Sequence, residues 1–135
     1  MPMARPLARL FAIVLVAVIG LTACTGGGDS AISGNYRQDT LAVVTSLRNA
    51  ITLPDDAPEK SAAQAEARQL INDFAARYRR DSRVSGLSSF TTMQTALNSL
   101  AGHYSSYPNR PVPEKLKKRL EKEFRMVELA LNREA

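Results

Sequence analysis

The chain has 135 residues, of which 44% are apolar and 23% charged, with one Cys, one His and no Trp. That length bounds it to a single domain, and a lone Cys excludes both an internal disulfide framework and a multi-Cys metal site. The net charge of +5 falls to +3 once Arg5 and Arg9 are set aside with the leader described next. This excess is too mild for a nucleic-acid-binding surface.

Residues 1–9 hold two arginines and no acid, and the unbroken apolar run over residues 10–19 follows them. This is the pattern of an export signal. The run ends at Gly20, short of the roughly 20 apolar residues that span a bilayer. Leu21-Thr22-Ala23-Cys24 then resembles the bacterial lipobox. Small residues before the Cys give a membrane-embedded peptidase access to the Ala23–Cys24 bond, and the thiol takes the diacylglyceryl group. The expected organisation is therefore a cleaved lipoprotein signal over residues 1–23, then a lipidated Cys24 with a flexible Gly-rich tether over residues 24–34. A helical domain over residues 35–135 follows. An ordinary cleavage site that happens to contain a Cys is the plainer alternative. Several acyl chains, each worth about 0.8 kcal/mol per buried methylene, would hold such a protein firmly on a bilayer.

Beyond the tether, four stretches carry apolar residues at spacings of three and four, and none alternates as a strand does. In the first, residues 35–53, Tyr36, Thr40, Val43, Val44, Leu47, Ala50 and Ile51 share a face, and Pro54 stops the helix. The second starts near Pro58, a residue suited to a first helical turn. It places Ala63, Ala67, Leu70, Ile71, Phe74 and Tyr78 on one stripe and runs to about Arg80. The third opens with Ser88 or Ser89 as N-cap and buries Phe90, Met93, Leu97, Leu100 and Tyr104. Gly102 within it marks an early end or a close helix contact. A connection with prolines at 108, 111 and 113 follows, stiff and exposed. The fourth helix begins at Pro113 and turns Leu116, Leu120, Phe124, Val127 and Leu131 inward, with Met126 and Leu129 on its flank. On its outer face Glu114 with Lys118, Lys117 with Glu121, and Glu121 with Arg125 stand at i,i+4.

Short connections favour an all-α, antiparallel, up-down-up-down four-helix bundle. That topology puts the tether, the connection over residues 82–87 and the C-terminus at one end, together with Arg77, Arg79, Arg80 and Arg83. The acidic turn at Asp55 and Asp56 and the proline-rich connection share the other.

The residues offer little to chemistry. His103 is the sole imidazole and stands without a nucleophile-and-base arrangement, so it reads as a packing or hydrogen-bonding residue at a helix end. The three glycines at 26–28 lead into no phosphate-binding turn. On the fourth helix interleaved acids make the basic residues a solvated, salt-bridged face. Two segments stand out as candidate protein contacts. One is the cluster with Arg77, Tyr78 and Arg80, whose guanidinium groups suit carboxylates of a partner or anionic lipid headgroups. Its plainer reading is a solvated helix terminus. The other is the segment with Tyr104, Tyr107 and Arg110, where rigid prolines present residue types enriched at interface hot spots. Its plainer reading is a turn that covers the bundle end.

The strings Ala65-Glu66-Ala67-Arg68-Gln69-Leu70-Ile71-Asn72-Asp73-Phe74, Tyr78-Arg79-Arg80-Asp81, Ser89-Phe90-Thr91-Thr92-Met93-Gln94-Thr95-Ala96-Leu97-Asn98 and Gly102-His103-Tyr104-Ser105-Ser106-Tyr107-Pro108-Asn109-Arg110-Pro111 closely resemble the family of photosystem II assembly lipoproteins numbered twenty-seven in the Psb series. The resemblance spans residues 35–133, and the lipobox resembles the cyanobacterial form, since plastid relatives are imported by a transit peptide. It implies a four-helix bundle on the lumenal side of the thylakoid membrane that binds photosystem II intermediates transiently during assembly and repair. The implied partner is chiefly the large lumenal loop of the forty-three kilodalton chlorophyll-binding antenna protein, engaged before the manganese cluster and the extrinsic subunits are installed. It further implies a monomer with no enzymatic activity and no cofactor. No motif of that family assigns the contact to named positions, so Arg77, Tyr78, Arg80, Tyr104, Tyr107 and Arg110 rest on physical argument alone. A lumenal manganese carrier, a general lipoprotein interaction module, and a lipoprotein enzyme dependent on His103 are the alternatives.

Overall fold

A computed structural model describes residues 32–108 and 110–134. The leader, Cys24 and the glycine run lie outside the described residues, as does Asn109. Four helices follow one another: α1 (Tyr36–Thr52), α2 (Lys60–Tyr78), α3 (Ser88–Ser106) and α4 (Glu114–Glu134). The α1/α2 and α3/α4 hairpins are the most closely packed pairs, and α1 against α4 and α2 against α3 close the ring. The all-α bundle expected from the spacing is therefore the observed fold. Among the described residues no helix is long and apolar enough to cross a membrane.

The helix ends follow from local chemistry. Asn35 caps α1 with its side-chain oxygen on the Gln38 N–H at 3.0 Å. Leu53, extended at ψ 138° ahead of Pro54, ends that helix. Pro58 sits in the turn before α2 rather than at its first residue, because the Lys60 N–H reaches the Ala57 carbonyl at 3.1 Å. The expected serine cap of α3 is replaced. Leu87 is the N-cap and makes no side-chain cap bond. Instead the Glu134 carboxylate accepts the Ser89 N–H at 3.1 Å and the Ser89 hydroxyl at 2.6 Å, so the end of α4 satisfies the start of α3. Gly102 neither ends the helix nor marks a close contact. Helix α3 runs on to Ser106, and a Cβ at Gly102 would meet nothing within 4 Å.

One apolar core takes side chains from all four helices. Phe74, Tyr78, Met93, Leu100, Leu120 and Phe124 are fully buried, and Val84 and Val112 plug the core from the two loops. Tyr36, Phe74, Tyr78 and Phe90 stack at one end, with Tyr36 edge-on to Tyr78 at 5.3 Å. On the surface Arg48 of α1 reaches Glu121 at 3.0 Å and Glu128 at 2.6 Å on α4. Glu121 thereby serves Arg48 as well as Arg125 at 3.8 Å, and Glu114 pairs with Lys117 at 3.3 Å rather than with Lys118.

The bundle starts before α1. Ile32 packs on the core, and the next two residues are held by Asp39, which is 1% exposed. Its carboxylate accepts the Ser33 N–H at 2.8 Å, the Ser33 hydroxyl at 2.7 Å, the Gly34 N–H at 2.9 Å and the Tyr78 hydroxyl. Residues 32–34, expected as the end of a flexible tether, are thus part of the domain. Burial works against the Asp39 charge, but the Tyr78, Ser33 and Gly34 donors outweigh it and hold the carboxyl below the ordinary carboxylate range. Gly34 takes φ +94°, and the Arg77 side chain lies 3.3 Å from where its Cβ would stand.

Asp39→Asn removes the charge that four donors address, and hydrogen bonds to charged groups are worth about 1.5–3 kcal/mol each. The variant is expected to melt roughly 10 °C lower at pH 7. Because the folded carboxyl titrates below its unfolded value of about 4, its contribution is complete above that pH and is lost as pH falls through the folded pKa. Thermal melts should show a constant gap between parent and variant from pH 7 to 5 that closes below about pH 4. A gap unchanged at pH 2.5 would contradict the charge as its source. Gly34→Ala should cost about 1–3 kcal/mol through backbone strain, read as a lower denaturation midpoint with an unchanged slope.

Candidate functional site

The two candidate contact segments lie at opposite ends of the bundle. Helix α3 separates them, and its 19 residues correspond to about 28 Å. The tether end gathers the start of α1, the end of α2, the 82–87 connection, the start of α3 and the end of α4. The bond of 2.7 Å between the Tyr36 hydroxyl and Ser89 Oγ ties α1 to α3 there. Ser89 gives its only hydroxyl proton to Glu134, so Tyr36 is the donor to Ser89. Burial raises the Tyr36 pKa against its hydrogen bonds. Arg37 closes the same end with Leu131 O at 2.9 Å and Asn132 Oδ1 at 3.0 Å.

The two segments do not survive whole as surfaces. Tyr78 is 1% exposed and donates to Asp39, with burial and that carboxylate raising its pKa well above the ordinary tyrosine value. Tyr104 is 2% exposed, and burial raises its pKa too. Neither ring is available to a partner, so both are corrected to core residues. The reason is periodic: Tyr78 follows Phe74 by one turn and Tyr104 follows Leu100, so each falls on the inward stripe of its helix. Arg77 and Arg80 are exposed at the tether end, with the Arg77 guanidinium 5.6 Å from the Tyr78 ring centroid.

Tyr107 and Arg110 are exposed at the opposite end and face each other, the guanidinium carbon 5.7 Å from the ring centroid. Their frame is fixed from beneath. His103, buried among the Tyr104 and Tyr107 rings, has Nε2 3.2 Å from the Arg110 carbonyl. A carbonyl only accepts, so Nε2 carries the proton. The Arg110 N–H returns to the Tyr107 carbonyl at 3.2 Å, and Val112 is buried at 4%. His103 is thus the packing and hydrogen-bonding residue its position indicated.

A concavity of about 360 Å³ beside this pair is lined by Asp55, Pro58, Gln64, Arg68, Pro108 and Pro111, among others. The acidic turn forms its other wall. Lys60 Nζ bonds Asp55 at 2.6 Å and the Leu53 carbonyl at 3.2 Å, and the Lys60 bond to Asp55 is the main reason that carboxyl sits below its usual range. Gln64 and Arg68 escaped sequence reasoning. Their spacing of four on α2 was the available signal, but only the fold brings that face against the proline connection. A second, smaller hollow of about 130 Å³ between α2 and α3 is lined by Asn72, Phe74, Arg79, Phe90, Gln94 and Asn98, among others. Among the described residues no three His, Cys, Asp or Glu side chains converge as a metal-ligand set.

Comparison with known proteins places these features in a lineage. Residues 4–131 match the family described as Photosystem II Pbs27. The photosystem II assembly factor lipoprotein Psb27 of Thermosynechococcus vestitus is 61% identical over 133 residues, covering 98% of both chains. The chloroplastic photosystem II repair protein PSB27-H1 of Arabidopsis thaliana is 36% identical over 99 residues, covering 73% of this chain and 57% of its own. The solution structure of Psb27 from cyanobacterial photosystem II superposes with a TM-score of 0.73 at 57% identity, covering 79% of this chain and 95% of that one. A capped four-helix bundle with these matches along nearly its whole length belongs to the Psb27 family of photosystem II proteins.

Proposed function

We propose that this chain is a lipid-anchored, non-catalytic factor that docks on the lumenal side of photosystem II intermediates during assembly and repair. Its family is one of photosystem II assembly and repair factors, which supports the coarse reading. The finer one names a partner and a moment: the lumenal loop of the chlorophyll-binding antenna protein, before the manganese cluster and extrinsic subunits are installed. The anchor is Cys24, with residues 1–23 removed, and the bundle acts as a monomer.

The observation that carries the docking assignment is the exposed Tyr107–Arg110 pair on a frame already fixed by His103 and Val112. A contact that is rigid before binding loses little entropy on docking. An aromatic ring beside a guanidinium supplies the two residue types that most often dominate an interface. The neighbouring concavity, with Arg68 and Gln64 on one wall and Asp55 on another, offers polar groups to a loop that projects into it. A small contact of this kind suits a factor that must leave. The manganese-carrier alternative has no ligand set among the described residues to build on.

Tyr107→Ala combined with Arg110→Glu should reduce co-purification with photosystem II intermediates by about tenfold or more, with the melting temperature unchanged within a few degrees. Undiminished recovery would remove the assignment and leave the fold intact. His103→Ala removes the bond to the Arg110 carbonyl while leaving both contact side chains in place. It should speed amide exchange at Arg110 and weaken recovery by a smaller factor. A binding loss as large as that of the double variant, with Arg110 exchange unchanged, would contradict a positioning role.

A further inference from the structure

We infer that the furrow between α2 and α3 is a docking track for an extended, acidic segment of a partner protein, bracketed by Arg68 and Arg79. The inference extends the docking reading above and rests on it, because Arg68 lines this furrow as well as the concavity beside Tyr107 and Arg110.

The furrow follows from how the ring of helices closes. Of its neighbouring pairs, α2 and α3 approach each other most sparsely. Two hollows lie between them, of about 130 and 110 Å³, and they share Ile71, Asn72 and Ala101. Small residues at facing places, Ala75 on α2 and Ala101 on α3, leave space that longer side chains would fill. The larger hollow has a floor of Phe74, Phe90 and Leu97. A cavity of about 150 Å³ admits benzene, so each hollow suits one aliphatic side chain. The walls are helical stripes. Arg68, Asn72, Ala75 and Arg79 recur along α2 at i, i+4, i+7 and i+11, and Gln94, Asn98, Ala101 and Ser105 along α3 at i, i+4, i+7 and i+11.

The rim carries groups left open by the fold. Among the described residues the amides of Asn72, Gln94 and Asn98 make no hydrogen bond. Each offers donors and an acceptor, which match the backbone N–H and C=O groups that an extended peptide leaves open and a helix satisfies within itself. The charge around them has one sign. Helix α3 contains no Asp, Glu, Lys or Arg in 19 residues. On α2, Glu66 and Asp73 stand more than about 120° around the helix from the furrow. Asp81, beyond the end of α2, is held by Arg83 at 3.2 Å, and Asp55, across the adjoining concavity, by Lys60 at 2.6 Å. Arg68 and Arg79 are both exposed, and among the described residues neither has a carboxylate within salt-bridge distance. Their eleven-residue separation corresponds to about 16 Å along the helix. Side chains on one face of an extended strand recur every second residue, about 13 Å apart at a spacing of four and about 20 Å at six. Long arginine side chains span the difference, so carboxylates four or six residues apart reach both guanidinium groups, with an apolar residue between them over the hollows.

A titration of the purified chain, followed through its amide resonances, tests the furrow by itself. The probe is a seven-residue peptide, blocked at both ends, with Glu at its second and sixth places, Leu at its fourth and Ser elsewhere. It should shift Asn72, Gln94 and Asn98 saturably and leave Met126 and Leu129 unmoved. The analogue with Gln for both Glu should bind at least fivefold more weakly, as should the parent peptide to the Arg68→Glu, Arg79→Glu double variant. Lys for both Glu in the peptide should restore binding to that variant. No saturable shift at millimolar peptide, shifts confined to other faces, or equal binding of the Gln analogue overturns the proposal. The last result would leave an uncharged occupant. No photosystem II is present in the titration, so its failure leaves the Tyr107–Arg110 assignment standing. Arg79 lines the furrow but not the concavity, so Arg79→Glu alone should lower co-purification with photosystem II intermediates several-fold at an unchanged melting temperature. Recovery indifferent to Arg79→Glu removes the furrow from the docking surface, whereas recovery indifferent to the Tyr107 and Arg110 double variant removes the reading on which it rests.

Discussion

Asp39 keeps a charge at a position almost closed to solvent, and a carboxylate survives there only because four donors converge on it. Those donors come from three places: the chain before α1, the same chain's backbone one residue on, and Tyr78 at the end of α2. One side chain therefore fixes how the polypeptide enters the bundle, the register of α1 on α2, and the orientation of the aromatic layer formed by Tyr36, Phe74, Tyr78 and Phe90. The α3/α4 hairpin is fastened to the same end by a parallel device, in which Tyr36 donates to Ser89 and Ser89 to Glu134. Buried polar groups of this kind are costly when partly satisfied and rigidifying when fully satisfied. Here the satisfied network holds Ser33 and Gly34 against the bundle, so the start of the domain is set by the fold.

The far end is organised differently. Among the described residues no buried charge holds it. A proline-rich connection is fastened by one imidazole bond and one buried valine, and its exposed face carries a tyrosine and an arginine in contact. Stiffness from proline, the His103 bond and the anchorage of Val112 in the core keep these two groups in place. The two ends of the bundle are thus about one helix length apart, and the proposed docking pair stands at the proline-rich one.

Much of this was legible in the residues. Apolar spacings of three and four located all four helices to within about two residues, and the short connections set which ends come together. What the pattern missed were partners distant along the chain. Asp39 reads as an ordinary acid in a first helical turn, and nothing near it announces Tyr78, 39 positions away. Glu134 likewise reads as a solvated terminal residue until α3 is beside it. Tyr78 and Tyr104 illustrate a conflict within the sequence itself, since residue type recommends them for an interface and helical position sends them inward. Position prevailed, because a tyrosine one turn from Phe74 or Leu100 cannot leave the core face without turning the whole helix. The chain's relationship to photosystem II was carried by long matching strings rather than by any catalytic or ligand-binding pattern.

The most direct measurement of the central claim, that the bundle works by presenting its proline-rich end to a partner, is amide hydrogen exchange on the chain bound to a purified photosystem II intermediate. The account predicts new protection around Tyr107 and Arg110 and in the facing turn near Asp55 and Lys60, with the exposed α4 flank at Met126 and Leu129 unchanged. Protection that runs along that flank while the proline-rich end exchanges as freely as in the unbound chain would contradict it.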